Sequence, residues 1–297
     1  MRDVSSCKFV GHGEMSTLAK EDLRSPYNEI YVMKYPRPFD GKRVNWEDVN
    51  EVIASKIAQL LGFPFVKAEI AYRNGNRGCL MVHFREQLLV DDNEAGAPLL
   101  EAQFDKRYLS LQTSKLSSAE LVTKSFQMIN DFSYFDTIKF DFISMNVFDL
   151  LIGNQDRHPY NWQILFKNDS SFFAPLYDNG ASLGWQLPDD YLLSMLNNQQ
   201  KMNKFFRQTK VKAGLFENTT PPLKGTQVLK HITQSYPDES KEIIQRMVNF
   251  DWEIYEKYID EFPLISQIRK KFLKEFVQFR MNKIIGNVQE GDEHSEI

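Results

Sequence analysis

The sequence predicts an α+β fold of two lobes: a small β-rich N-terminal lobe over residues 1–85 and a larger helical C-terminal lobe over 86–289. An acidic, disordered tail over 290–297 follows. Three observations carry this reading. Short β-rich runs give way near residue 86 to longer stretches of helical periodicity. The stretch Asn154-Gln155-Asp156-Arg157-His158-Pro159-Tyr160-Asn161 is followed by two apolar, aromatic-rich runs spaced as a hairpin, which lead to Tyr177-Asp178-Asn179-Gly180. Finally, 297 residues with 42% hydrophobic and 26% charged side chains suffice for one large or two-lobed domain with a sizeable core.

In chain order, Lys8-Phe9-Val10-Gly11-His12-Gly13-Glu14 places two glycines beside apolar residues. It reads either as a plain turn or as a loop whose backbone N–H groups approach phosphates. Glu29 to Tyr35 has strand composition, and period two puts Ile30, Val32 and Lys34 on one face. Lys34 then either reaches phosphates or faces water from an edge. Asn45-Trp46-Glu47-Asp48 is a capping-box-like start to a helix carrying Val49, Val52, Ile53, Ile57, Leu60 and Leu61 to Gly62. Glu51 lies off that stripe beside Ala54, Ser55 and Ala58, either as a partner for the strand lysine or as a surface residue. Arg77 to Phe84 reads as a strand leading to a hinge, and Asp91 to Gly96 as loop.

Ile138 to Ile152 is apolar on most sides, as expected of a buried helix, and Gly153 stops it. Trp162 to Phe166 and Phe172 to Tyr177 read as strands separated by Lys167 to Ser171. Antiparallel pairing would set Asn161 and Asp178 side by side, two oxygen ligands for one small hard cation, with Asp156 one loop away. An Asp, an Asn five positions on and a second Asp across a hairpin are what phosphoryl transfer from a metal-bound nucleotide requires. The bland alternative is a chance spacing in an ordinary hairpin; the joint order of helix, loop, hairpin and second Asp favours the chemistry. Beyond Gly180, Lys201, Lys204, Arg207, Lys210 and Lys212 accompany Phe205 and Phe206, with no acid from 191 to 216. That segment either holds an anionic substrate or is a solvated helix face. Residues 223–285 look helical and amphipathic.

The net charge of −4 gives no overall drive towards nucleic acid or anionic membranes, and DNA binding by this chain alone is not expected. Cys7 and Cys79 read as unpaired thiols of a reducing compartment. No run approaches the roughly 18 apolar residues of a membrane span, and the N-terminus lacks a signal-peptide core. The cytoplasm is the expected location, although a leaderless secretion route would leave the same sequence.

Several runs together resemble the HipA-like serine/threonine kinases. Ile152-Gly153-Asn154-Gln155-Asp156-Arg157-His158-Pro159-Tyr160-Asn161 is similar to that family's I-G-N-x-D-x-H-x-x-N catalytic loop, and Ala174-Pro175-Leu176-Tyr177-Asp178 to its A-P-L-Y-D metal segment. Gly11-His12-Gly13-Glu14 resembles its G-x-Q-E phosphate loop, and Asn50-Glu51 with Ile57-Ala58 and Gly62 its N-E…L-A…G helix. The match spans about residues 8–183. The resemblance implies a two-lobed protein-kinase-like fold, ATP with Mg²⁺, transfer to Ser or Thr hydroxyls of a protein substrate, and an antitoxin as a partner. It assigns Asp156 as catalytic base, Asn161 and Asp178 as metal ligands, Lys34 as the phosphate-binding lysine and Glu51 as its partner. Gly11, His12, Gly13 and Glu14 would cover the phosphates, Val32, Val82, His83 and Phe84 would face adenine, and His158 would lie at the nucleotide. Two departures are that Gly11 stands almost at the start, where HipA toxins carry a further subdomain, and that Lys8 replaces a serine of the family. The D-R-H-x-x-N and D-x-G pair is also similar to phosphatidylinositol kinases. A phosphoinositide or small-molecule kinase is therefore the alternative, and a pseudokinase interaction module a third reading that joint retention of Lys34, Asp156, Asn161 and Asp178 argues against.

Overall fold

The computed structural model describes residues 1–12, 19–38 and 45–293, with side chains through 287. Its N-terminal part is a six-stranded sheet in the order β1-β5-β6-β4-β3-β2, crossed by one helix. The elements are β1 (Arg2–Asp3), β2 (Lys8–Gly11), β3 (Lys20–Arg24), β4 (Ile30–Lys34), α1 (Glu47–Leu60), β5 (Ala68–Arg73) and β6 (Asn76–Val82). All neighbours pair antiparallel except β1 with β5. Alternation along β4 sends Tyr31 and Met33 into a small core with Val4, Cys7, Leu23, Ala71 and Leu80. Ile30, Val32 and Lys34 take the other face, where Val32 packs against the main core. The chain over 4–7 closes the outer face, tied down by Arg73, which donates to the Val4 and Cys7 carbonyls. Cys7 and Cys79 are buried thiols without a disulfide.

The helix α1 and its cap bury Val49, Val52, Ile53, Ile57 and Leu61 of the expected stripe, while Leu60 is half-buried. Its start differs from the capping box expected at 45–48, because Trp46 occupies the cap and makes no side-chain cap bond. The acids of the first turn are engaged elsewhere. Glu47 accepts from the Arg37 backbone and guanidinium, and Asp48 receives Arg77 in a two-point contact. The small face is used as foreseen, with Ser55 Oγ donating to the Val66 carbonyl at 3.0 Å.

Beyond the sheet come α2 (Phe84–Leu88), β7 (Asp92–Ala95), α3 (Gly96–Phe104), α4 (Lys106–Gln112), α5 (Ser118–Asn130) and α6 (Phe135–Ile152). A 3-10 turn at Pro159–Asn161 precedes β8 (Gln163–Lys167) and β9 (Ser170–Phe173). There follow α7 (Asp189–Leu196), α8 (Gln199–Gln208), β10 (Lys210–Val211), β11 (Leu223–Lys224), α9 (Gly225–Ser235), α10 (Pro237–Val248), α11 (Trp252–Glu261) and α12 (Gln267–Glu293). One hydrophobic cluster runs from Val49 in α1 through α6 to Ile284 in α12, so both parts share a core.

Four local expectations differ from the structure. The segment expected as loop at 91–96 contains β7, which pairs with β8 although Asp92-Asn93-Glu94 has no strand composition; the exposed edge of the hairpin supplies the partner groups. The hairpin turn is shorter than expected: Asn168 and Asp169 alone make it, both left-handed (φ 48° and 60°), as a two-residue turn between twisted strands demands. The strand after it ends at Phe173, and Leu176 pairs instead with Phe65, its N–H donating to the Pro64 carbonyl. Helix α12 continues to Glu293, into the stretch read as an acidic tail, and residues 294–297 lie outside the described residues. Among the described residues no helix is long and apolar enough to cross a membrane.

Gly153 ends α6 at φ 69°, with the position of a Cβ 3.3 Å from the Phe276 ring. Replacement by Ala should cost about 1–2 kcal/mol through the left-handed backbone alone, read as a lowered urea midpoint. An unchanged midpoint would show that the cap tolerates a side chain.

Candidate active site

The buried guanidinium of Arg157 organises the loop that follows α6. Nε and Nη2 donate to the two oxygens of Asp149, at 2.9 and 3.1 Å, and Nη2 also reaches Asn179 Oδ1. Nη1 donates to both the Asn161 carbonyl (2.8 Å) and the Tyr177 carbonyl. One nitrogen therefore joins the residue expected to bind metal to the residue before Asp178. Asp149 comes from α6 and also receives Asn154 Nδ2 at 2.9 Å, fixing the loop just after the helix.

Asp156 is held from both sides. Its N–H donates to Asn154 Oδ1 at 3.0 Å, and its carbonyl accepts from His158 N at 2.7 Å and Asn161 Nδ2 at 3.0 Å. With Nδ2 committed, Asn161 has its Oδ1 for another ligand. The Asp156 carboxylate opens outwards, its side chain 41% exposed, and Lys212 Nζ donates to Oδ1 at 2.6 Å from a side chain only 4% exposed. Lys212 reaches it because the left-handed pair Ala213 and Gly214 turns the chain onto the loop. Gly214 N donates to the Arg157 carbonyl, and its carbonyl accepts from Trp162 Nε1, both at 2.8 Å. His158 has a buried Nδ1 with no partner among the described residues; burial, with Lys212 and Arg157 nearby, lowers its pKa against the pull of Asp156 and Asp178.

From the sheet, Lys34 Nζ meets Asp178 Oδ1 at 2.9 Å. Burial would discharge Lys34, but Asp178 and Glu51 outweigh it and raise its pKa. For Asp178 burial is likewise outweighed, by Lys34, Arg157 and His158, and its pKa is lowered. The expected pairing of Lys34 with Glu51 is not the one formed. Glu51 accepts instead from Asn179 N and, at 3.3 Å, from Asn179 Nδ2, and burial raises its pKa despite the nearby Lys34. The reason is the approach of 178–180 to α1, where a Cβ on Gly180 would stand 2.7 Å from the Glu47 carbonyl. With that backbone so close, the Asn179 amide fills the space before Glu51.

The hinge differs in detail from the strand expected to run to Phe84. The strand β6 ends at Val82, and His83 caps α2, its Nδ1 accepting from Glu86 N at 3.4 Å. The Val82 and His83 N–H groups are committed to the Lys67 and Ile30 carbonyls. Phe84 N–H is left as the hinge donor with no acceptor among the described residues, while the Phe84 ring stacks on Tyr177 at 5.4 Å. A cavity of about 330 Å³ lies beside this hinge, lined by Val10, Asp22, Arg24, Asn28, Ile30, His83 and Glu86. Gly11 ends β2 above it, the His12 ring lies 4.8 Å from Phe9, and Gly13 and Glu14 fall outside the described residues. Ile30, Val32 and Lys34 share one face of β4, so the row leads from the cavity to Asp178 over about 13 Å at the strand rise.

Sequence reasoning gave no role to Arg157, Asp149 or Asn179, and it missed two further residues near the site. Lys212 stood within the basic segment but 56 residues from Asp156, and nothing local marks it as buried. Arg37, bound to Glu47 and over the Trp185 ring at 5.2 Å, lies within electrostatic reach of Asp156 and Asp178.

The family model for the HipA-like C-terminal domain matches residues 17–249. The serine/threonine-protein kinase CtkA of Helicobacter pylori strain J99 is 25% identical over 271 residues, covering 87% of this chain and 78% of that protein. The crystal structure of the H. pylori proinflammatory kinase CtkA superposes with a TM-score of 0.72 at 22% identity, over 96% of each chain. HipA of Shewanella oneidensis, in complex with HipB and operator DNA, gives a TM-score of 0.51 at 14% identity, over 94% of this chain and 66% of that one. The two-lobed kinase fold expected from the sequence is the fold of these neighbours.

Arg157→Ala should cost about 3–5 kcal/mol, because Asp149 is then a buried charge without its counter-ion. The pair Arg157→Met with Asp149→Leu should recover much of that stability in thermal unfolding. Loss confined to the single variant marks a buried ion pair, whereas equal loss in both would place the cost in the carbonyl bonds.

Proposed function

Because the chain belongs to the HipA-like C-terminal domain family, we propose that it is an ATP-dependent kinase transferring the γ-phosphoryl group to a Ser or Thr hydroxyl of a protein. The observation that carries the proposal is the convergence of Lys34, Asp156, Asn161 and Asp178 on the one network centred on Arg157. The nucleoside takes the cavity beside the hinge, with Phe84 N–H available to the base, and the phosphates extend along the Ile30, Val32, Lys34 face. Lys34 exchanges Asp178 for phosphate oxygens.

The donor set fits a divalent cation such as Mg²⁺ brought in with the triphosphate. Among the described residues no cluster of three or more His, Cys, Asp or Glu could hold a metal unaided. One carboxylate, Asp178, and one carboxamide oxygen, Asn161 Oδ1, leave most of a six-oxygen shell to phosphate and water. When bound, the cation would neutralise charge on the phosphates. Asp156 accepts the proton of the acceptor hydroxyl as its oxygen bonds to the γ-phosphorus and the bond to the β–γ bridging oxygen breaks, releasing ADP. Lys212 and the backbone bonds at 154, 158 and 161 hold that carboxylate in place. Family membership also makes an antitoxin-like protein partner part of the proposal.

Two variants test the roles separately. Asp156→Asn should leave ATP affinity within a few-fold and lower transfer by at least roughly 10²-fold, with a drop in melting temperature limited to what the buried Lys212 loses with its counter-charge. Transfer is measured with labelled ATP on protein and lipid acceptors in parallel; phosphate on lipid alone overturns the acceptor class. Asp178→Ala should abolish the Mg²⁺ dependence of ATP binding in calorimetry, since a triphosphate beside Glu51 and Asp156 needs its charge offset. Equal affinities for wild type and variant with Mg²⁺ present would end the ligand assignment.

A further inference from the structure

The basic segment beyond the metal loop is not used by the chemistry above. Helix α8 buries Met202 and Phe206, whose side faces α12 through Phe206 on Phe279 at 6.4 Å and Phe205 on Phe276 at 6.1 Å. Packing that side turns Lys201, Lys204 and Arg207 to solvent, and Lys210 follows, also exposed. Among the described residues none of the four has an ion-pair partner, on a chain with 40 acids against 36 bases. Cations three apart on one helix repel one another, so the stripe is a local cost that no ion pair among the described residues relieves.

The chain leads from the stripe to the active site. Two residues beyond Lys210, Lys212 sits on the Asp156 carboxylate at 2.6 Å. Arg207 and Lys212 are five positions apart, which bounds their separation at roughly 18 Å even for an extended chain. An extended acceptor rises about 3.3 Å per residue, so side chains within about six positions of the hydroxyl at Asp156 can reach α8.

We propose that the exposed face of α8, Lys201, Lys204, Arg207 and Lys210, is a docking surface for acidic residues flanking the phosphoacceptor, which makes acidic peptide segments the substrate class. The proposal rests on the kinase reading for what docks, and on charge complementarity for where. Single-stranded nucleic acid fits less well, because the aromatic residues of the segment are packed inwards and offer bases no stacking face.

The test is fluorescence anisotropy with a labelled peptide carrying one serine among glutamates, beside the same peptide with glutamines. Wild type should bind the acidic peptide about tenfold more tightly at low salt, a preference that shrinks at high salt. The variant Lys201→Glu/Lys204→Glu/Arg207→Glu should lose the preference and leave binding of the glutamine peptide unchanged. Its melting temperature checks folding, and Lys204→Gln alone should show a smaller weakening if the triple variant does not fold. In transfer assays the KM for the acidic peptide should rise with kcat and the KM for ATP unchanged. Equal affinity for both peptides, or tighter binding of an oligothymidine of equal charge, overturns the proposal. Charge-dependent binding without any transfer by wild type would end the kinase reading and leave the docking surface standing.

Discussion

Everything at the active site depends on a charge buried where charges are expensive. The Arg157 guanidinium has no exposed surface to speak of, and removing such an ion from water costs several kcal/mol even after relaxation. Asp149 offsets that cost with a bidentate contact, and the remaining donors find the carbonyls of Asn161 and Tyr177 and the amide of Asn179. No donor is spent on solvent. Because those acceptors belong to α6, the loop after it and the strand exit beyond the hairpin, satisfying one side chain forces three segments into register.

The same requirement carries the coupling between the two parts of the molecule. Asn179 stands between Arg157 and Glu51, accepting from the first and donating to the second. Next to it, Asp178 faces Lys34 from β4. The sheet and α1 are thus linked to the loop by one ion pair and one amide relay. The ion pair is the exchangeable one: Lys34 and Asp178 are ligands for opposite partners, phosphate oxygens and a cation, and pair with each other through that same complementarity. The amide relay is neutral on the Asn179 side and has no reason to break when nucleotide enters.

What was legible in the sequence was what local spacing determines. Asp156, Asn161 and Asp178 could be placed because a short loop and a hairpin leave few geometries open, and Lys34 because strand alternation sets its face. Partner choice was not legible. Glu51 stood ready for Lys34, but the backbone at Gly180 comes so near to α1 that Asn179 takes its place. Arg157 was given no role beyond its place in the motif, since burial of a guanidinium depends on acceptors supplied from residues 149, 161, 177 and 179 together. The β7 strand escaped notice because an edge seeking partners overrode a composition unfit for strand, and Lys212 because its partner lies 56 residues away.

The contrast between Asp156 and its surroundings bears on how such a loop can work. A carboxylate that accepts a proton must be open to the acceptor, and this one is; yet its backbone and one of its oxygens are already fixed by Asn154, His158, Asn161 and Lys212. Lys212 is the more buried member of the pair, so the ammonium has little room to follow the carboxylate if the latter swings out. The second oxygen is then aimed by the first. Orientation is set during folding rather than at the moment of reaction, which is where preorganised polar groups gain over water. The cost falls on the buried lysine, and it is tolerable only because Gly214 and Trp162 hold its turn against the loop.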